Sequence, residues 1–463
     1  MSNGCPLDDP LYTEAASRLD GKNRKVSQAI QDSNTIDISH NTRERIPERY
    51  VHAKGVGAFG VFEVTSNTTF DVTNYTDAKF LNKVGKKTRL LARFSTVAGE
   101  RGFPDTVRDT KGAAFKLYTE DGNLDWLFLN PEIFPIRDPS KFPSLVHATK
   151  RDPASGLQDA NMVKGYNFLT WLFSDEGTPK CYSKMQAHSV HCYSFTKKDT
   201  STTPATWKRT LVRIKAVPDP PIDWENDYFN LKMATTIVGK DPDWLRRGLY
   251  NEIINKNYPT WKVMAQIVQN PAASDVNVFD ATKVLSELNF PWQEFGKITL
   301  NECPRNFFSQ VEQAAFNPAN VVPGWDVSPD PVLQIRLFTY GDTQRYRLGA
   351  NNDQLLPNRA CSYVYTPTRR DGAHSSANYG NTRNYIREND NNNPPSDYKI
   401  SSLDWVPEKI ERFKSSVDDS DYQQCADHYR WLHENDLARN FIRNVAASLS
   451  TAHEPTRHAA YGK

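Results

Sequence analysis

Three short apolar runs between residues 50 and 130 constrain the fold most: Val61-Phe62-Glu63-Val64, Leu90-Leu91-Ala92-Arg93-Phe94 and Ala113-Ala114-Phe115-Lys116-Leu117-Tyr118, each closed off by Gly, Asp or Thr. Runs of this length bounded by turn formers read as strands. A strongly curved antiparallel sheet is expected. Helices interrupt it: Trp244 to Ile254 follows the helix-start signal Asp241-Pro242-Asp243, and Pro304 to Ala315 carries apolar residues at helical spacing. From 316 to 400, Pro, Asn, Gly and Arg dominate, ending in Asn391-Asn392-Asn393-Pro394-Pro395, too polar and broken to build a core. Helical periodicity returns over 407–450, through Tyr429, Trp431, Leu432, Leu437, Phe441, Ile442, Val445 and Leu449. The fold class is therefore α+β.

Composition narrows the partners. Lys and Arg number 57 against 55 Asp and Glu, which gives no clustered basic excess of the kind a nucleic-acid footprint requires. No window approaches the roughly 18 consecutive apolar residues of a membrane span, and Met1 to Leu11 lacks the basic and apolar regions of a signal peptide. The six cysteines are dispersed with no CxxC pair, as suits a reducing compartment. The N-x-T sequons at Asn67 and Asn74 read as polar loop, and the C-terminal Ala-Tyr-Gly-Lys is not a peroxisomal tripeptide of the S-K-L type. A chain inside the cell, cytoplasmic or peroxisomal, is expected, acting on a small molecule without nucleic acid or membrane.

Two motifs are set aside. Gly55-Val56-Gly57-Ala58-Phe59-Gly60 fits G-x-G-x-x-G, but a dinucleotide site needs a helix after it and here a strand follows. Close backbone packing at a barrel corner is the better reading. Cys181, His188, His191 and Cys192 lie close together, yet their spacing matches no zinc pair.

Two segments almost 300 residues apart carry the chemistry: Arg45-Ile46-Pro47-Glu48-Arg49-Tyr50-Val51-His52-Ala53-Lys54-Gly55 and Arg336-Leu337-Phe338-Thr339-Tyr340-Gly341-Asp342-Thr343-Gln344-Arg345-Tyr346-Arg347. With Arg93-Phe94-Ser95-Thr96-Val97-Ala98-Gly99-Glu100 and Thr106-Val107-Arg108-Asp109, they resemble the haem catalases over roughly residues 43 to 365. The resemblance implies an antiparallel β-barrel core of the catalase type, with a wrapping segment and a C-terminal helical domain. The expected boundaries are an N-terminal arm at 1–43, the haem core at 44–300, the wrapping segment with the haem ligand at 301–400 and the helical domain at 401–463.

The resemblance also implies haem b, hydrogen peroxide as substrate and a homotetramer. Tyr340 matches the iron ligand. A ferric ion needs an anionic oxygen donor, and Arg336, four residues earlier and on the same face of a helix, is the cation that favours one. Tyrosine ligation is the general catalase pattern. Arg49, Arg93 and Arg347 match the propionate partners, forked donors suited to carboxylates. His52 matches the catalytic histidine, which moves a proton from one peroxide oxygen to the other, and Ser95 the hydroxyl that orients it. Val51, Phe134, Phe142 and Thr343 match other cofactor contacts, and Val51, Val97 and Asp109 a narrow approach channel.

The pattern breaks at the distal asparagine. Alignment without gaps puts Leu129 there and Asn130 one residue later. Either a backbone shift brings Asn130 to the site as the catalytic donor, or turnover is weakened, or the substrate is an organic or fatty-acid hydroperoxide; a haem-binding paralogue without turnover is the remaining alternative. No NADPH site is expected, because Glu176, Leu285 and Glu287 replace an arginine, a tryptophan and a histidine of NADPH-binding members. The N-terminal arm is also shorter than in animal catalases.

Overall fold

The computed structural model describes residues 39–65, 70–154, 166–203, 205–362, 371–376 and 416–461, together with two strands near the N-terminus. The chain divides into two compact units, 1–48 and 49–463. The first contains an antiparallel pair, β1 (Glu14–Ser17) and β2 (Arg24–Ser27). Asn67, the wrapping run 391–395 and positions 407–415 lie outside the described residues.

The second unit is built on a closed barrel. Strands β3 (Gly55–Val64), β4 (Lys87–Thr96), β5 (Lys111–Thr119) and β6 (Gly122–Leu129) form a meander, and the three apolar runs of the sequence fall inside the first three of them. β6 passes to the short β7 (Ala187–His188), which pairs with β9 (Thr206–Pro218). β10 (Thr260–Val268) pairs with β9 and with β11 (Trp292–Glu302), and β11 returns to β3 to close eight strands. β8 (Tyr193–Asp199) and β12 (Trp325–Asp326) extend the sheet from the other half of β9.

Strand alternation sorts the side chains into two faces. Inside are Val56, Ala58, Phe62, Leu90, Phe94, Phe115, Trp126 and Phe128, all in one apolar cluster. Phe62 meets Trp126 edge to face at 5.5 Å, and Trp126 stacks on Phe128 at 5.9 Å. The interior is thus filled by its own aromatics. The chemistry is displaced to the outer face of β3–β6, where register places Gly55 opposite Ser95, Gly57 opposite Arg93, Ser95 opposite Gly112 and Gly112 opposite Leu129.

The helix Trp244–Ile254 has the expected bounds, and its first N–H groups are capped from a distance: Leu245 and Arg246 donate to the buried carboxylate of Asp105. The helix expected over 304–315 is reduced to a single wide turn, Phe308–Glu312. The reason is competition for its carbonyls. Those of Val311, Glu312 and Ala314 accept from Arg49, and those of Glu312 and Ala314 also from Arg347, which leaves them outside a regular ladder. The longest helix, Pro331–Leu348, is capped by Asp330, whose side chain accepts from Val332 and Leu333. Helices Ser420–Glu434, Ala438–Leu449 and Glu454–Tyr461 finish the chain. Asp421 holds the first of them to the body by accepting from Arg137 at 2.9 Å and Lys283 at 2.6 Å. Among the described residues no helix is long and apolar enough to cross a membrane.

Candidate functional site

His52 leaves the segment before β3 with φ of 65°, in the left-handed region that a β-carbon disfavours. Its N–H donates to the Val97 carbonyl, and its Nδ1 lies 2.9 Å from Ser95 Oγ and 3.1 Å from the Thr96 carbonyl. A carbonyl only accepts, so Nδ1 carries the proton and Nε2 keeps its lone pair. Burial pushes the imidazole down to about 3, helped by the positive charges of Arg93, Arg336 and Arg49. It is neutral at physiological pH. The space for the ring comes from Gly112, where a β-carbon would come within 2.7 Å of His52 Nδ1.

Neutrality has a measurable consequence. If His52 is the working base, turnover has no inflection near pH 6.5, the ordinary histidine value, because the competent neutral form persists until the pH approaches 3. The expected rate is flat from pH 5 to pH 9 in initial-rate measurements. A half-loss of rate centred near pH 6.5 would contradict it.

Leu129 closes β6 directly opposite Gly112, so the two positions share the face that His52 occupies. Asn130 is turned to other work. Its Oδ1 accepts from the Lys111 N–H at 2.6 Å, its Nδ2 donates to the Glu176 carbonyl at 3.3 Å, and its own carbonyl meets His188 Nδ1. The backbone shift that would offer its amide to His52 is absent from this structure. Asp109 accepts from the N–H groups of Val97 and Ala98, fixing the loop beside His52.

Arg336 and Tyr340 lie one turn apart on the Pro331–Leu348 helix, and Arg336 Nη2 donates to the Tyr340 oxygen at 2.9 Å. Tyr340 packs against the outer-face cluster of Phe59, Leu91, Leu127, Ala314 and Phe316. Burial pulls Arg336 down, but Tyr340, Tyr193 and Asp330 together outweigh it and hold the guanidinium above its ordinary value. Behind it sit two residues that sequence reading did not assign to the site. His191 Nδ1 is 2.6 Å from Asp330 Oδ2, both fully buried, so the carboxylate that caps the helix also fixes the imidazole. His191 entered only through the zinc motif. That motif is dispersed: Cys192 bonds the Val278 carbonyl and His188 that of Asn130, and the described residues hold no metal-binding group of three.

Arg49, Arg93 and Arg347 converge beside this pair. Arg49 Nη2 is held by the carbonyls of Val311, Glu312 and Ala314, Arg347 by those of Glu312 and Ala314, and Arg93 by that of Ala53. Gly55 and Gly57 make the approach possible, since a β-carbon would lie 2.5 Å from Arg93 Nη2 at the first and 2.7 Å from Val311 at the second. The glycine motif is therefore structural, as expected. Burial lowers all three arginines, Arg49 to about 10 and Arg347 to about 9; the charges of Arg49 and Arg347 lower Arg93 further, and that of Arg49 lowers Arg347. Arg49 Nη1, Arg93 Nε and Arg347 Nε are buried without a hydrogen-bond partner among the described residues. Orphaned donors in one place fit an acidic ligand.

The remaining expected contacts are looser. Phe134 stands 6.2 Å from the His191 ring, Phe142 opens the helix Phe142–Thr149, Val51 is half-buried beside His52, and Thr343 turns its hydroxyl back to the carbonyls of Thr339 and Tyr340. Separately, a cavity of about 520 Å³ lies between β7 and the helices Tyr166–Phe173 and Ser420–Glu434, lined by Glu132, Trp171, Glu176, His188, Glu287 and Asp427 among others. Burial pushes Glu176 up to about 7, although Trp171 Nε1 donates to it at 2.7 Å.

The catalase family model matches residues 2–392. Catalase A of Botryotinia fuckeliana is 43% identical over 475 residues, covering 97% of this chain and 93% of that relative. A peroxisomal catalase of Candida tropicalis is 40% identical, covering 98% and 92%. The solved structure of catalase A from Saccharomyces cerevisiae superposes with a TM-score of 0.88 at 37% identity, covering all of this chain and 94% of its own. Likeness of that depth over nearly the full length leaves one conclusion: this chain belongs to the catalase family.

Proposed function

We propose that the protein is a haem-dependent catalase that dismutates hydrogen peroxide to water and oxygen. The observation that carries this reading is the buried, neutral His52, with Nδ1 engaged by Ser95 and the Thr96 carbonyl and Nε2 left as a base, on the same barrel face as the Arg336–Tyr340 pair. The residues present fit haem: the Tyr340 oxygen would hold the iron, Arg336 would stabilise its negative charge, and the orphaned nitrogens of Arg49, Arg93 and Arg347 would take the two propionates. When bound, haem supplies an iron able to accept and return the electrons that two peroxides exchange.

His52 does the proton work. Its Nε2 would take a proton from one oxygen of a peroxide and deliver it to the other, so that the O–O bond breaks and one water leaves. A second peroxide would then give up two protons and two electrons and leave as O₂, the remaining oxygen of the first leaving as the second water. Ser95 and the Thr96 carbonyl keep the tautomer and hold the ring in register. Leu129 adds an apolar wall, and Asn130 a structural tie between β5, β6 and the loop at Glu176. The apolar wall is the one feature that would suit an organic hydroperoxide, and the catalase relatives favour hydrogen peroxide over it.

Tyr340→Phe is expected to lower haem retention at least about tenfold, because the anionic donor is removed while the propionate partners remain. Haem-to-protein ratio after gel filtration reads this, and an unchanged ratio would reject Tyr340 as ligand. Oxygen release per haem from purified protein tests the reaction itself. The cavity supports the absence of a dinucleotide site, since its lining carries Glu132, Glu176 and Glu287 and no arginine or lysine to receive a 2′-phosphate. A homotetramer accords with the exposed Ile335, Phe338 and Tyr346 on the Pro331–Leu348 helix. The names of relatives support a peroxisomal setting over the cytoplasm.

A further inference from the structure

The arginine cradle contains one anion of its own. Glu312 is 3% exposed, places Oε2 3.6 Å from Arg49 Nη1, and acts electrostatically on Arg49, Arg93 and Arg347 alike. Proton transfer by His52 does not use it. Nor do the arginines need its carboxylate for their placement, because they are held by the backbone carbonyls of Ala53, Val311, Glu312 and Ala314. What the carboxylate changes is charge. Three guanidiniums alone would bury three positive charges side by side, and Glu312 leaves two.

We propose that Glu312 is the residue that sets the charge of the cradle, holding it at two net positive charges so that it is balanced by a planar ligand bearing two carboxylates. The proposal rests on the haem reading above and adds to it the group that fixes how strongly the site prefers a dianion. Two buried carboxylates would balance the cradle and leave no net charge in a region where unpaired charge is costly. With Glu312 neutral, the same arginines would grip the dianion harder and repel one another more when it is absent.

The test compares loss of haem and of its dimethyl ester, in which both carboxylates are masked, from the full-length protein to an excess of globin acceptor. Wild type is expected to lose the diester faster than haem. Glu312→Gln should widen that ratio about tenfold or more, because a repelling charge beside both carboxylates is removed. Glu312→Asp keeps the charge and should keep the wild-type ratio. A ratio unchanged or narrowed in Glu312→Gln would overturn the proposal, as would a Glu312→Asp ratio that moves with it. If Glu312→Gln does not fold, Glu312→Asp decides by holding or losing the wild-type ratio. Wild type that takes up neither compound would instead defeat the haem reading, whereas wild type that holds both equally would defeat only the charge match. A packing role for Glu312 would alter both rates together and leave their ratio still.

Discussion

Leu129→Asn should raise oxygen release per haem by about 10²- to 10³-fold, the scale on which a single donor aimed at developing charge acts. Leu129 ends β6 opposite Gly112, and Gly112 is the position whose missing β-carbon makes room for the His52 ring. Register therefore sets position 129 beside the His52 ring, and a leucine there has no donor to offer a bound peroxide. The neighbouring amide cannot take over while Asn130 is bonded on one side to Lys111 and on the other to Glu176. Asparagine is close to leucine in length, and at a partly exposed strand end its lower strand propensity costs at most about 1 kcal/mol. The measurement is haem-normalised oxygen evolution with the haem spectrum as control. An unchanged rate at unchanged haem content would show that the missing donor does not limit turnover, and reactivation would trace the limit to one side chain.

Removing the base should have a comparable effect in the opposite direction. His52→Ala is expected to lose about 10²- to 10⁴-fold in turnover while keeping its haem, since general acid-base catalysis is worth that much and Tyr340 and the arginine donors remain in place. Backbone strain complicates the simplest variant, because alanine at φ of 65° is disfavoured. His52→Asn answers this, since asparagine tolerates the left-handed region. Both should fail alike if the imidazole is the working group. Turnover that survives in His52→Asn would move the proton transfer elsewhere.

Much of this was legible in the sequence, for identifiable reasons. The strands of the meander were readable because short apolar runs closed by turn formers have the length and composition of buried strands. The Arg336–Tyr340 pair was readable because a four-residue spacing on a helix is a spatial statement. The wide turn at Phe308–Glu312 was not, because apolar spacing alone pointed to a helix and the competing donors, Arg49 and Arg347, come from distant parts of the chain. Glu312 was missed for the same reason: nothing near it in sequence carries the charges it faces. The role of Asp330 as both helix cap and partner of His191 depended on bringing together residues 139 positions apart.

The amino-acid sequence by itself determined the strand pattern, the family motifs and the substitution of leucine at position 129, since each is a matter of local spacing or residue type. Only the tertiary structure decided that the barrel interior is filled by its own aromatics and that the chemistry lies outside it. It also decided that Asn130 is tied into the strand end and that a buried carboxylate, paired with Arg49, lies within electrostatic reach of Arg93 and Arg347. These depend on register, on which face a side chain takes, and on burial, and in a closed sheet all three are fixed by strands far apart along the chain.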